Sequence, residues 1–200
     1  MAKKLIQTVS TLLALAGFTG VAEAHTGVGH TIGFMHGFLH PLSGLDHMLV
    51  MVAVGLFAAR LGGKAFWAVP LAFVAMMVVG GALGMNGIGL PYVEFGIAAS
   101  VIVLGATVAM DFSLPISAAM GLVGFFAMFH GHAHGAEMPV DAAGFTYGMG
   151  FVIATALLHC AGLGLGLTIS RATVSRHSGL VKLTGVAMAV AGVGMMSGYL

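Results

Sequence analysis

The sequence predicts an all-α integral membrane protein, a bundle of about six transmembrane helices that follows a cleaved signal peptide. Hydrophobic residues make up 59% of the 200 residues and charged residues only 6%, and the mean hydropathy is +1.07. A soluble domain of this length needs more polar surface, so the composition indicates a bilayer. The seven Lys and Arg residues form no cluster, which argues against nucleic-acid binding. The single cysteine, Cys160, excludes an internal disulfide.

The N-terminal segment has the three parts of a secretory signal peptide. Two lysines precede an apolar run over residues 12–21, and an A-x-A cleavage site ends at Ala24. An uncleaved signal anchor is the alternative, but hydroxyl residues make the run a poor permanent span. We expect residues 1–24 to be removed and residues 25–200 to form one membrane domain, with His25 as its first residue.

Six apolar runs in the remaining chain are long enough to cross about 30 Å of hydrocarbon. They lie near residues 33–60, 65–85, 92–110, 113–133, 143–170 and 179–199. The first and fifth runs are longer than a bilayer requires, so each is expected to be tilted, kinked or partly outside the membrane. Pro41 and Gly44 are the residues that loosen the backbone of the first run.

The basic residues predict the orientation of these spans. The five that follow the signal peptide are Arg60, Lys64, Arg171, Arg176 and Lys182. All lie in or beside loops that a cleaved signal peptide would leave in the cytoplasm, in agreement with the positive-inside rule. We therefore expect a multi-pass protein of the bacterial inner membrane with its mature N-terminus and its C-terminus in the periplasm.

Small residues four apart predict where helices pack closely. The glycine pairs with this spacing are Gly80 and Gly84, Gly144 and Gly148, Gly162 and Gly166, and Gly194 and Gly198. In a bilayer such pairs let two helix backbones approach each other.

Span one begins with a group of ionisable residues that comprises His36, His40, Asp46 and His47. Charged and titratable side chains are costly in a membrane and usually have a functional role. If the helix is continuous, the three imidazoles fall within about 40° of one another on its circumference. Imidazole and carboxylate groups that converge in this way indicate a metal site.

A second group ends span four and comprises His130, His132, His134 and Glu137. The first, third and fourth of these are at positions i, i+4 and i+7, on one helical face, whereas His132 points elsewhere or toward a loop. The predicted topology places both groups at the outer side of the membrane. Their nitrogen and oxygen donors suit Ni, Co, Zn, Cu or Fe.

Deeper in the membrane, His159 is either a further ligand along a metal route or a hydrogen-bonded packing residue. No P-loop motif is present, so the sequence gives no sign that this chain hydrolyses ATP. The sequence leaves open the energy source, the oligomeric state and a partner protein.

Two motifs resemble those of the HupE/UreJ family of nickel/cobalt permeases: H-x5-D-H over residues 40–47 and F-H-G-x-A-H-G-x-E over residues 129–137. The resemblance extends over essentially the whole chain. It implies secondary uptake of Ni²⁺ or Co²⁺ as the transported ion, with no prosthetic group and no enzymatic activity. The motif residues it implies are His40, Asp46, His47, His130, His134 and Glu137. His36 and His132 are additions to the motifs.

Other interpretations are an intramembrane zinc hydrolase, in which Ser43 and the same His/Asp group act on a substrate, and a bis-histidine haem protein. His25 is either a metal-capturing residue, if cleavage occurs directly before it, or merely the polar residue that follows the cleavage site. In the first case its free α-amino group and imidazole would form one chelate.

Overall fold

The computed structural model describes residues 33–110, 112–138, 142–173 and 179–198. Over this part of the chain the fold is entirely α-helical. The helices are α1 (Gly33–Ser43), α2 (Leu45–Leu61), α3 (Ala65–Met85), α4 (Val93–Ala109), α5 (Ile116–Glu137), α6 (Ala142–Thr173) and α7 (Gly179–Met196). The predicted signal peptide and His25 lie outside the described residues.

Within the described residues, four helices are long and apolar enough to cross a membrane: α3, α5, residues 144–171 of α6, and α7. A fifth candidate is the pair α1 and α2 taken as one broken span. The third predicted span corresponds to α4, an apolar helix of only 17 residues. The prediction of a helical membrane protein agrees with these helices, whereas the number of six spans stays a prediction.

The first predicted span is broken rather than continuous. α1 and α2 meet at an angle of 81°, with Gly44 between them in an extended conformation (φ −93°, ψ 124°). Pro41 lies within α1, where it has no N–H to donate to the preceding turn. The expected kink is therefore present, but the single helical wheel assumed for its histidines is wrong.

α2 is the central helix and contacts each of the other six. Its residues from Val50 onward are mostly buried, and even Arg60 is only 8% exposed. The Arg60 guanidinium donates hydrogen bonds of 2.8 Å to the carbonyl oxygens of Thr107 and Val108 at the end of α4. A cation is favourable there because the carbonyls in the last turn of a helix lack intrahelical partners.

The most extensive packing joins α3 and α5. A Cβ atom added to Gly80 would overlap the carbonyl group of Met128, and one added to Gly131 would overlap that of Met77. Gly84 is in equally close contact with α5. These two helices therefore touch backbone to backbone, as the spacing of Gly80 and Gly84 predicts.

The other glycine pairs differ in outcome. Gly162 and Gly166 both face α2 at close range, as predicted. Gly148 has only one side-chain atom within ordinary contact distance, and Gly198 lies beyond the end of α7 with no neighbour. The spacing alone is therefore not sufficient evidence of a contact.

α6 spans 32 residues and packs along both α1 and α2. Four of its side chains recur at intervals of four residues and are all buried: Tyr147, Phe151, Thr155 and His159. Residues at this spacing share one helical face. That face of α6 therefore forms a continuous wall of the bundle interior.

Candidate metal site

Five imidazoles from three helices form a row that we call the imidazole row. In spatial order it comprises His36 and His40 of α1, His134 of α5, His47 of α2 and His130 of α5. The ring centroids of successive members are 6.1, 4.6, 4.4 and 4.8 Å apart. The row begins at the surface with exposed His36 and ends at fully buried His130. The two groups that the sequence predicts to meet are thus in contact.

The outer end of the row carries a set of three potential ligands. One ligand atom each from His40, His134 and Glu137 lies within 4.8 Å of the other two. Glu137 is exposed and His40 is half-buried, so this set is accessible from outside the bundle. Two imidazoles and a carboxylate match the donor preferences of divalent first-row transition metals.

Asp46 fixes the orientation of its neighbour His47. Its Oδ1 atom accepts the backbone N–H of His47 at 2.8 Å and lies 2.7 Å from the ring Nδ1 atom. A carboxylate accepts hydrogen bonds, so Nδ1 carries the proton and Nε2 presents its lone pair. Gly44 makes room for the pair, because a Cβ there would lie 2.7 Å from Asp46 Oδ1 and 3.0 Å from His47 Nδ1.

The rings of His47 and His134 contact each other through their Nε2 atoms. Their Nε2 atoms are 2.5 Å apart. Because Asp46 leaves the His47 Nε2 atom with a lone pair, His134 must either donate a proton to it or present a second lone pair. At hydrogen-bond distance and without an ion the first arrangement holds, so His134 donates its Nε2 proton to His47. A divalent ion bound between the two rings would replace that proton.

His130 is held by Ser100, a residue of α4. The Ser100 hydroxyl donates to the carbonyl oxygen of Ile97 at 2.6 Å, so it can only accept from His130 Nε2, which is 2.9 Å away. The proton of His130 is therefore on Nε2, and Nδ1 has a lone pair. Among the described residues this Nδ1 atom has no hydrogen-bond partner.

Two of the predicted site residues that the structure describes belong neither to the imidazole row nor to the set with Glu137. His132 is buried, and its Nε2 atom is 2.8 Å from the carbonyl oxygen of Ile88, between α3 and α4. It therefore holds a loop rather than facing the other imidazoles. Asp46 is adjacent to the row but contacts it through His47.

The sequence motifs do not include the aromatic and hydroxyl residues around the row. The Tyr147 ring lies 5.7 Å from that of His36 and 6.0 Å from that of His40, and Phe151 lies 4.3 Å from His134. The four-residue spacing of these two side chains on α6 is the only sequence signal for them. The sequence does not identify Ser100 as a site residue, because a lone serine in an apolar helix often bonds only to its own backbone.

The chain matches the family described as HupE / UreJ protein over residues 13–195. Protein HupE from Rhizobium leguminosarum bv. viciae is 44% identical to it over 191 residues, which cover 95% of this chain and 97% of that protein. No solved structure matches the chain. By the extent of both matches, the chain belongs to the HupE/UreJ family.

Proposed function

We propose that the chain takes up a divalent transition-metal ion, Ni²⁺ or Co²⁺, from the periplasm through the imidazole row. The observation that carries this proposal is the row itself, five rings in sequence from the exposed His36 to the fully buried His130. We name Ni²⁺ and Co²⁺ because the two motifs resemble those of nickel/cobalt permeases. Membership of the HupE/UreJ family agrees with transport rather than catalysis.

Capture takes place at the outer set of His40, His134 and Glu137. The carboxylate attracts a cation, and its exposure lets the ion shed its hydration water gradually as the two imidazoles replace it. No thiolate is present in this set, which disfavours very soft ions. The ion then lies beside the His134 ring.

Transfer inward uses the lone pairs of His47 and His130. Each of these rings donates its proton to an oxygen atom, Asp46 Oδ1 or Ser100 Oγ, and so presents the other nitrogen for coordination. A hydrogen-bonded carboxylate also makes the imidazole a better ligand. We therefore assign Asp46 the role of orienting His47 rather than that of a direct ligand.

The membrane potential favours inward movement of the ion. Each elementary charge gains about 2.3 kcal/mol per 100 mV, so a divalent ion gains about twice that amount. This term is sufficient to drive accumulation without ATP hydrolysis. The membrane potential would drive the ion inward through a carrier and through a channel alike.

The zinc hydrolase interpretation gains no support from Ser43. Its Oγ atom donates to the carbonyl oxygen of His40 at 2.7 Å, and the side chain is exposed. A hydrolytic serine needs a basic nitrogen within hydrogen-bond reach of its hydroxyl. Ser43 is instead engaged with the backbone at the end of α1.

Uptake of six metals (Ni, Co, Zn, Cu, Fe and Mn) into cells that express the protein tests the proposal. We expect accumulation of Ni or Co, and loss of at least 10- to 100-fold in His47→Ala and His134→Ala at equal protein in the membrane. His177 lies between the fifth and sixth predicted spans, away from both motifs. His177→Ala should therefore behave as wild type. Near-normal uptake in both site variants would refute the proposal.

A further inference from the structure

We propose that His159 forms a second, inner metal-binding position, separated from the imidazole row by the ring of Phe73. This position rests on the proposed uptake function and extends it beyond the residues of the two sequence motifs. The ion reaches this inner position after His130. His159 lies there beside a groove between α3 and α6. The evidence is the bonding of His159, its place on α6 and the composition of that groove.

His159 is buried without any of the bonds that a packing histidine should have. It is 2% exposed, and within the described part of the chain neither ring nitrogen has a hydrogen-bond partner. A buried polar group without a hydrogen-bond partner destabilises the fold. The remaining buried side-chain N and O atoms without a partner in that part of the chain are Nδ1 of His130 and Nδ1 of His134. His159 thus shares its unpaired state with two members of the imidazole row.

The position of His159 continues the imidazole row. The Phe73 ring centroid lies 6.0 Å from that of His130 on one side and 5.1 Å from that of His159 on the other. On α6, His159 is the last of the four buried residues at four-residue intervals that begin with Tyr147 beside His36. Twelve residues of helix advance about 18 Å, so this face runs from the outer ligands to His159.

A groove opens beside His159 on the surface between α3 and α6. It has a volume of about 430 Å³, and its walls include Phe66, Trp67, Pro70, His159, Cys160 and Leu163. Of all the side chains that line it, His159 and Cys160 are the ones that can coordinate a transition metal. Pro70 has no N–H for the Phe66 carbonyl oxygen one turn earlier, so that oxygen lacks its usual intrahelical partner.

The groove lies on the exit side under the proposed orientation. It is built on the first half of α3, which follows the loop with Lys64. The sequence predicts that this loop faces the cytoplasm. An ion at His159 has therefore passed the imidazole row and the Phe73 ring, and is next to the surface of the bundle on the inner half.

Trp67 provides a local signal for this position, because it is the only tryptophan of the chain and it lines the groove. Paramagnetic Ni²⁺ or Co²⁺ bound nearby should quench its fluorescence. We would titrate each ion into the purified full-length protein in detergent.

His159→Leu removes both nitrogens at similar volume and should fold, since it also removes two unpaired buried groups. Leu157→Ala, on an exposed side of α6, is the matched control.

We expect saturable quenching in the wild type and in Leu157→Ala, and its loss in His159→Leu. His47→Ala should retain the quenching, because none of the residues that line the groove belongs to the imidazole row. In cells, His159→Leu should lower the maximal uptake rate about 10-fold or more with little change in the metal concentration for half-maximal uptake.

Equal quenching in the wild type and His159→Leu, or none in the wild type, would overturn the inner position. Either result leaves the uptake function standing if His47→Ala and His134→Ala still abolish accumulation. Failure of those two variants to affect uptake would instead overturn the proposed function and the inner position together.

Discussion

Individual hydrogen bonds determine which nitrogen each imidazole presents to the ion. The sequence predicts that His47 and His130 belong to a metal site, because histidines are rare in membrane helices and these lie near other donors. It does not predict their tautomers. Those depend on Asp46 for one ring and on Ser100, a residue of another helix, for the other. Neighbours supplied by a different helix have no fixed sequence separation and cannot be found from spacing.

The role of Asp46 is tested by Asp46→Asn. The amide keeps the shape of the side chain but loses the negative charge that favours the Nδ1 proton of His47. We expect uptake to fall about 10- to 100-fold, as for other residues that orient a metal ligand, with normal amounts of protein in the membrane. Ser43→Ala, at the same helix break, should leave uptake near the wild-type level. An Asp46→Asn variant with full activity would show that the carboxylate has no part in transport.

At the scale of helices, the close contact of α3 and α5 places the ligands. Gly131 lies between His130 and His134 in the sequence, and its backbone touches α3 at Met77. The position of both histidines therefore depends on the absence of a side chain at this glycine. The sequence predicts such contacts from glycine spacing, but not which partner helix each glycine faces.

Gly131→Ala should push α3 and α5 apart. Its added Cβ would overlap the Met77 carbonyl oxygen, and such overpacking typically costs about 1–3 kcal/mol. We expect a lower unfolding temperature of the purified protein and loss of uptake. Gly121→Ala, on the same helix, has open space around its Cβ and should unfold at or above the wild-type temperature. Equal unfolding temperatures for the two variants would contradict the predicted steric clash.

The break at Gly44 marks the limit of prediction from helical periodicity. Pro41 and Gly44 indicate a weak point, but neither residue type specifies an angle of 81°. A Gly at this position is explained only by the atoms of Asp46 and His47 that lie against it. The convergence of His40 and His47 is thus a result of the bend and not of a shared helical face.

For the whole molecule, the composition predicts the helical class and the apolar runs predict most of the helices. The large hydrophobic side chains on the outside of the bundle, such as Phe95, Leu183 and Val190, are consistent with contact to lipid. Span count is harder to predict, because α4 is short and the first span is bent. Length and hydropathy describe a straight helix and cannot distinguish a broken span from a re-entrant segment.

The predicted topology of six spans after signal cleavage can be tested with reporter fusions. An even number of spans places Leu200 in the periplasm, so alkaline phosphatase fused there should be active. The same enzyme fused within the Gly62-Gly63 loop should be inactive, because that loop is predicted to be cytoplasmic. N-terminal sequencing should begin at His25. An inactive phosphatase at the C-terminus would require an odd number of spans.

The central claim, that imidazoles from α1, α2 and α5 bind the transported ion, is tested most directly by X-ray absorption at the nickel K-edge. The purified protein would be loaded with one equivalent of Ni²⁺. We expect outer-shell scattering from at least two imidazole ligands in the wild type, and from one ligand fewer in His134→Ala. A shell of oxygen ligands without imidazole scattering, or an unchanged spectrum in His134→Ala, would contradict the claim.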